Sequence, residues 1–173
     1  MVEQNQVLTE SPEVNDKNEN INGWRAFASL EQFLIDDQWH PQQLEDKSIF
    51  RVYYSGDNGD LRCYAQIRVD LEQFIFYVVA PVKAPEENRS EVAEYITRAN
   101  YGLRIGNFEM DYEDGEIRCK SSVDFENTVL DDKLIKNVIY AAVHTMDFYL
   151  PGLLSVMYGN ENPEQAISAI EGD

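Results

Sequence analysis

Residues 50–67 read FRVYYSGDNGDLRCYAQI, two apolar runs meeting at a turn-forming centre. Asn-Gly between alternating hydrophobic residues is a strong hairpin signal, because a type I′ turn needs positive φ at both central positions. A loop at Asn58 and Gly59 sets Tyr54 opposite Cys63, Val52 opposite Ala65 and Phe50 opposite Ile67, an apolar face throughout. The other face pairs Tyr53 with Tyr64 and Arg51 with Gln66. A second turn at Leu71-Glu72 leads into residues 74–81 and sets Val69 opposite Phe74, Ile67 opposite Phe76 and Ala65 opposite Val78. The same face stays apolar across three strands, as a face buried against a core must.

Upstream, Trp24, Phe27, Leu30, Phe33 and Leu34 recur at spacings of three and four, which predicts an amphipathic helix to about Asp37. Residues 1–23 carry no such period; with five acids and one lysine they read as a disordered acidic tail, leaving residues 24–173 as one domain. Downstream, Pro85, Glu86 and Glu87 predict a helix start, with Val92, Ile96 and Ala99 as its buried stripe. A hairpin centred on Asp114-Gly115 sets Glu109 opposite Lys120 and Asp111 opposite Arg118, with Phe108, Met110, Tyr112, Ile117 and Cys119 on the reverse side. Asp131 and Asp132 open a long helix that is apolar over more than half its circumference, so it must be buried on more than one side. Pro151-Gly152 is expected to kink or break it, since proline removes a helical donor. Residues 163–170 offer a short last helix. The fold class is α+β, in the order α-β-β-β-α-β-β-α.

Thirty-two Asp and Glu against fourteen Lys and Arg give a charge of −18, which counts against nucleic-acid binding and against docking on an anionic membrane. No CxxC, HExxH, P-loop, GxGxxG or GxSxG pattern is present, so no catalytic residue, cofactor or metal is expected. Cys63 and Cys119 fall on inward faces of different hairpins and are expected as reduced thiols in a cytoplasmic protein. No basic and apolar leader is visible at the start, and no run approaches the ~18 apolar residues that a membrane span needs.

The strings Arg62-Cys63-Tyr64-Ala65, Gln73-Phe74-Ile75-Phe76-Tyr77 and Thr97-Arg98-Ala99-Asn100-Tyr101-Gly102-Leu103 are long and unusual. With Ile105 through Asp111, Met146-Asp147 and Tyr149-Leu150-Pro151-Gly152, they make the chain from about Leu30 to Ile170 resemble the YbjN family of bacterial sensory transduction regulators. Its cyanobacterial members are the most similar. The resemblance implies a fold like that of type III secretion chaperones, a twisted antiparallel sheet with helices packed on one side. It also implies a homodimer and a regulatory, stress- or signal-linked role in protein interaction, and it carries over no catalytic residue.

Several clusters admit two readings. Asn107, Glu109, Asp111, Glu113 and Glu116 could hold a hard cation, but Lys120 and Arg118 opposite them favour ion pairing. Arg98, Asn100, Arg104 and Asn107 could line a small-ligand sensor pocket, or else cap a helix and pair with nearby acids. His144, one turn from Tyr140 and Phe148, reads as packed or hydrogen-bonded rather than catalytic, and His40 has no assigned role. The most informative set is Tyr53, Tyr64, Ile75, Tyr77 and Val79 on the second sheet face, because a wholly solvated face rarely carries three tyrosines and two aliphatics together. We expect a partner protein or a second copy on that face, with intramolecular cover by a helix or the tail as the competing reading. The chain is thus expected to be a non-enzymatic, chaperone-like binding module.

Overall fold

The computed structural model describes residues 20–45 and 47–172. Helix α1 spans Ile21–Asp36, followed by strands β1 (Gln42–Gln43), β2 (Ile49–Ser55), β3 (Asp60–Arg68) and β4 (Gln73–Lys83). Then come α2 (Arg89–Gly102), β5 (Asn107–Met110), β6 (Glu116–Asp124), α3 (Asp132–Tyr158) and α4 (Pro163–Glu171). The six strands form one antiparallel sheet in the order β1-β2-β3-β4-β6-β5. The fold is α+β with the helices on one face, the arrangement the resemblance implied. The predicted tail lies outside the described residues up to Glu19. Ile21, Asn22 and Gly23 already belong to α1, where the Asn20 and Asn22 side chains donate to Asp70 (2.6 Å) and Glu72 (2.8 Å).

The helix-covered face carries Phe50, Val52, Leu61, Cys63, Ala65, Phe74, Phe76, Val78, Ile117 and Cys119, all fully buried. Leu30 and Leu34 of α1, Val92 and Ala99 of α2, and Ile135, Ile139, Val143 and Met146 of α3 complete this core. The Asp131 side chain caps α3 by accepting from the Leu134 N–H at 2.8 Å, the role expected of an acid at a helix start.

Strand faces match the expectation, but every hairpin register is two residues off. Tyr54 faces Leu61, Val52 faces Cys63 and Phe50 faces Ala65, so Tyr53 opposes Arg62 and Arg51 opposes Tyr64. Ala65 faces Phe76 and Ile67 faces Phe74. Glu109 faces Arg118 and Asn107 faces Lys120, so the expected Asp111–Arg118 pair does not form. The β2–β3 and β3–β4 loops run to four residues and the β5–β6 loop to five where two were expected, and a register shift of two leaves every side chain on its own face. The cause is tertiary in each case. Between β3 and β4, Val69 leaves the ladder to be buried at the start of a 3₁₀ turn that ends in Glu72 at φ 50°. Between β5 and β6, Gly115 accepts at its carbonyl from the Ala84 N–H (2.8 Å) and donates to the Asp111 carbonyl.

The β2–β3 turn centres on Asp57-Asn58, closed by the Gly56 N–H on the Gly59 carbonyl, and neither Asn58 nor Gly59 takes positive φ. Its tip is docked on α3. The Asp147 carboxylate accepts from the backbone N–H of Asp57 (3.0 Å) and of Asn58 (2.9 Å). A Cβ at Gly56 would sit 2.2 Å from that carboxylate, so only glycine lets the turn approach.

Pro151, expected to kink or break the long helix, does not break it: α3 runs through it as one helix of 27 residues. The carbonyl that its missing N–H orphans is that of Asp147, four residues back. That carbonyl accepts from the Asn58 side-chain amide at 3.0 Å, so the hairpin supplies the donor that proline lacks. Next door, the Tyr95 hydroxyl donates to the Tyr149 carbonyl at 2.8 Å.

Cys63 and Cys119 flank Val78 from the two neighbouring strands, about two strand spacings or ~10 Å apart, beyond disulfide reach. Both are buried free thiols, and burial pushes both up, Cys119 to about 12.

Two predictions follow from this packing. Asp147→Ala should lower unfolding stability by about 1–3 kcal/mol, because it orphans two N–H donors at the hairpin tip, and Asn58→Ala by about 1 kcal/mol. Urea midpoints at constant m measure both, and unchanged midpoints would break the link between the hairpin tip and α3. Neither thiol should react with an aromatic disulfide reagent in the native protein at pH 8, whereas both should react once it is unfolded.

Candidate interaction surface

The sheet face away from the helices is built of alternate residues from β2, β3, β4, β6 and β5. One row across it runs Arg51, Tyr64, Tyr77, Lys120, Asn107, and the next runs Tyr53, Arg62, Val79, Arg118, Glu109. Beside the first row lies a third, Ile49, Gln66, Ile75, Ser122. The five residues proposed from sequence, Tyr53, Tyr64, Ile75, Tyr77 and Val79, therefore do share one face. Among the described residues no helix covers it. Tyr53 is 58% exposed, while Val79 is 7% exposed, sheltered between its neighbours Arg62 and Arg118.

The sequence places Arg51 on the tyrosines' face and Arg118 and Lys120 on the outward side of the second hairpin; Arg62 shares that parity, and the pairing of β4 with β6 brings all four into one patch. The Arg118 guanidinium lies 4.4 Å from the centroid of the Tyr77 ring, and Arg62 lies 5.9 Å from that of Tyr64. Arg51 donates to Gln42 at 2.8 Å, and its Nε is buried without a hydrogen-bond partner among the described residues. Glu109 accepts from Arg118 (2.9 Å) and from Lys120. Within these rows four cations face one carboxylate, a net of +3 in a chain whose total is −18.

The remaining candidates are dispersed. The Asn100 amide spans the Phe108 backbone, accepting from its N–H (2.7 Å) and donating to its carbonyl (3.1 Å), which occupies the outer edge of β5. Asn107 donates to that same carbonyl. Arg98 pairs with Glu94 at 2.8 Å and reaches Glu164 of α4 at 3.9 Å, whereas Arg104 lines a shallow groove with Tyr140 and His144. The four residues of the ligand-sensor reading thus do not line one pocket. Asp111 accepts from the Glu113 N–H instead of pairing with Arg118, and the described residues hold no cluster of three or more metal-ligating side chains. A hollow of about 630 Å³ against α3, lined by Tyr54, Leu103, His144, Phe148 and Tyr149, had no sequence signal. His144 is exposed there, its ring centroid 5.5 Å from that of Tyr140 and 6.3 Å from that of Tyr54. His40 is exposed in a loop at φ 50°.

The YbjN family model, described as "Putative bacterial sensory transduction regulator", matches residues 27–155. The chain belongs to the YbjN family. The match runs from the middle of α1 to Ser155 near the end of α3 and takes in all six strands. The crystal structure of YbjN from E. coli is similar at 11% identity and a TM-score of 0.44, covering 68% of this chain and 92% of that one. No curated protein matches the sequence. Among the described residues of this YbjN-family chain, no helix is long and apolar enough to cross a membrane.

Burial pushes the Glu109 carboxyl up, but hydrogen bonds from Lys120 and Arg118 outweigh it and hold the group below the usual carboxylate range. A group lowered in the folded state stabilises above its unfolded pKa, and that contribution is lost as pH falls through the folded value. Stability should therefore decline below about pH 4, near the unfolded value for Glu. Glu109→Gln should show a smaller loss between pH 5 and pH 3 in urea titrations than the wild type, and equal losses would contradict the assignment.

Proposed function

We propose that this chain is a non-enzymatic, cytoplasmic regulatory module that binds a protein partner through the open face of its sheet. The observation that carries the reading is the row Arg51–Tyr64–Tyr77–Lys120 beside Tyr53–Arg62–Val79–Arg118, aromatic and cationic side chains on a rigid, uncovered sheet. Tyr and Arg are the residues enriched at interface hot spots, since both present broad contact area with hydrogen-bonding ends. The reading is chaperone-like in that binding is non-covalent and needs no cofactor.

A homodimer belongs to the same proposal, on another surface. A twofold contact through this sheet face would set Arg62 and Arg118 against the cations of an identical face, and like charges brought together cost binding energy. Helix α1 carries Ile21, Trp24, Ala28 and Ile35 on its exposed side at heptad-like spacing, a better candidate for self-contact.

The double substitution Tyr53→Ala with Tyr77→Ala tests the binding face. Proteins that co-purify with the wild-type chain should be lost at least tenfold from the variant, with circular dichroism and the mass from light scattering unchanged. Retention of the same proteins at the same level would overturn the reading.

A further inference from the structure

The open face has a shape and charge pattern that select one class of partner. Down its middle run Ile75, Tyr77 and Val79 of β4 with Tyr64 beside them on β3. This apolar strip is bordered on both sides by cations. Arg62 and Arg118 flank Val79, two strand spacings or about 10 Å apart, and Arg51 and Lys120 flank the Tyr64–Tyr77 pair about 14 Å apart. An α-helix with side chains is about 10–12 Å across, so one helix laid along the strands covers the strip and meets both borders.

The sheet edges argue against an added strand. The Asn100 side chain already occupies the Phe108 N–H and carbonyl on the β5 edge, and β1 at the other edge is two residues long. A strand joining this sheet would find few free backbone partners, whereas a helix satisfies its own backbone and needs only a face. Helices already pack this way on the opposite side of the same sheet.

Charge then decides which helix. In the central rows of this face the four border cations leave a net of +3 after Glu109, while Asp60, Glu116 and Asp124 share the face with Arg68 and Lys83 toward the strand ends. Arg51 and Arg62 have no carboxylate within salt-bridge distance among the described residues. Bordering carboxylates on the incoming helix would give both a partner. A second copy sets its own cations against them. The chain's own N-terminal acids, Glu10, Glu13, Asp16 and Glu19, recur every third residue. Four positions at that spacing wind 300° per step and drift around a helix instead of bordering one stripe on both sides.

We propose that the open sheet face receives an amphipathic helix of another protein, its apolar stripe bordered on both sides by Asp or Glu. This rests on the sheet face being the binding surface. The strip Tyr64–Ile75–Tyr77–Val79 takes the apolar stripe, and Arg51, Arg62, Arg118 and Lys120 take the carboxylates.

The test uses two designed 20-residue helical peptides with the same Leu and Phe stripe, one bordered by Glu and its twin by Lys, titrated into the full chain by calorimetry. The Glu peptide should bind at least tenfold more tightly than the Lys twin. Its affinity should fall severalfold from 50 to 300 mM NaCl, since exposed ion pairs are screened by salt. Arg62→Glu with Arg51→Glu should remove the preference between the peptides, while Tyr64→Ala should weaken the Glu peptide without altering its salt dependence. Amide shifts on β3 and β4 on adding the peptides separate the two levels of the reading. Equal binding of both peptides with such shifts would leave the face a docking surface and overturn the acidic helix, and no shifts with either peptide would overturn the face as well. Two further outcomes would reassign the occupant and overturn the proposal. One is a dimer that Arg62→Glu dissociates; the other is a tenfold gain in peptide affinity on changing Glu10, Glu13 and Glu19 to Gln and Asp16 to Asn.

Discussion

Asp147 joins the two halves of the molecule. Its carboxylate takes the two N–H groups at the β2–β3 tip, and its carbonyl takes the Asn58 amide because Pro151 has no N–H to give it. A proline that would break an isolated helix is tolerated because the sheet supplies the missing donor. Both partners gain from this arrangement. The hairpin tip acquires a fixed anchor, and α3 runs on without interruption for 27 residues before the connection to α4. Around Pro151 the neighbours press close, and a Cβ at Gly152 would lie 2.4 Å from the Tyr95 hydroxyl, so α2 and α3 are locked together there. With α1, α2 and α3 held on one face, the other face is left open.

That asymmetry organises the electrostatics. Acids dominate the chain, yet the open face gathers four cations around tyrosine rings, with Glu109 as the one acid in the same rows. Cations stacked on rings keep hydrogen-bonding capacity for an incoming group, as Arg118 does over Tyr77. Negative charge dominates elsewhere and repels other anions, so the central rows of this face stand out against the rest of the chain.

Much of this was legible in the residues, and the failures have a common form. The face of every strand named in the three hairpins was assigned correctly, because alternation has a period of two and burial punishes a slip of one. Registers were wrong by two because nothing local reports a longer loop where Asn58-Gly59 or Asp114-Gly115 suggests a two-residue one. The loop length at the β2–β3 tip depends on Asp147, about ninety residues away in sequence. Tyr53, Tyr64, Ile75, Tyr77 and Val79 were found together for the same reason that the faces were. Arg51, Arg62, Arg118 and Lys120 carry outward parity in the sequence, but their meeting around the tyrosines depends on β4 pairing with β6, which no local pattern reports. Asn100 was expected near a helix end, but its seal on the β5 edge required knowing that β5 lies there.

The sequence by itself determined the element types, the two faces of the sheet, the buried thiols and the resemblance to the family. These depend on periodicity and composition within a short window, where neighbouring residues set the energy. The tertiary structure alone decided the registers, the survival of α3 through Pro151, the dispersal of Arg98, Asn100, Arg104 and Asn107, and the placing of cations on both borders of the tyrosine strip. Each of those depends on a hydrogen bond or a charge from a residue remote in sequence, and no local pattern records it.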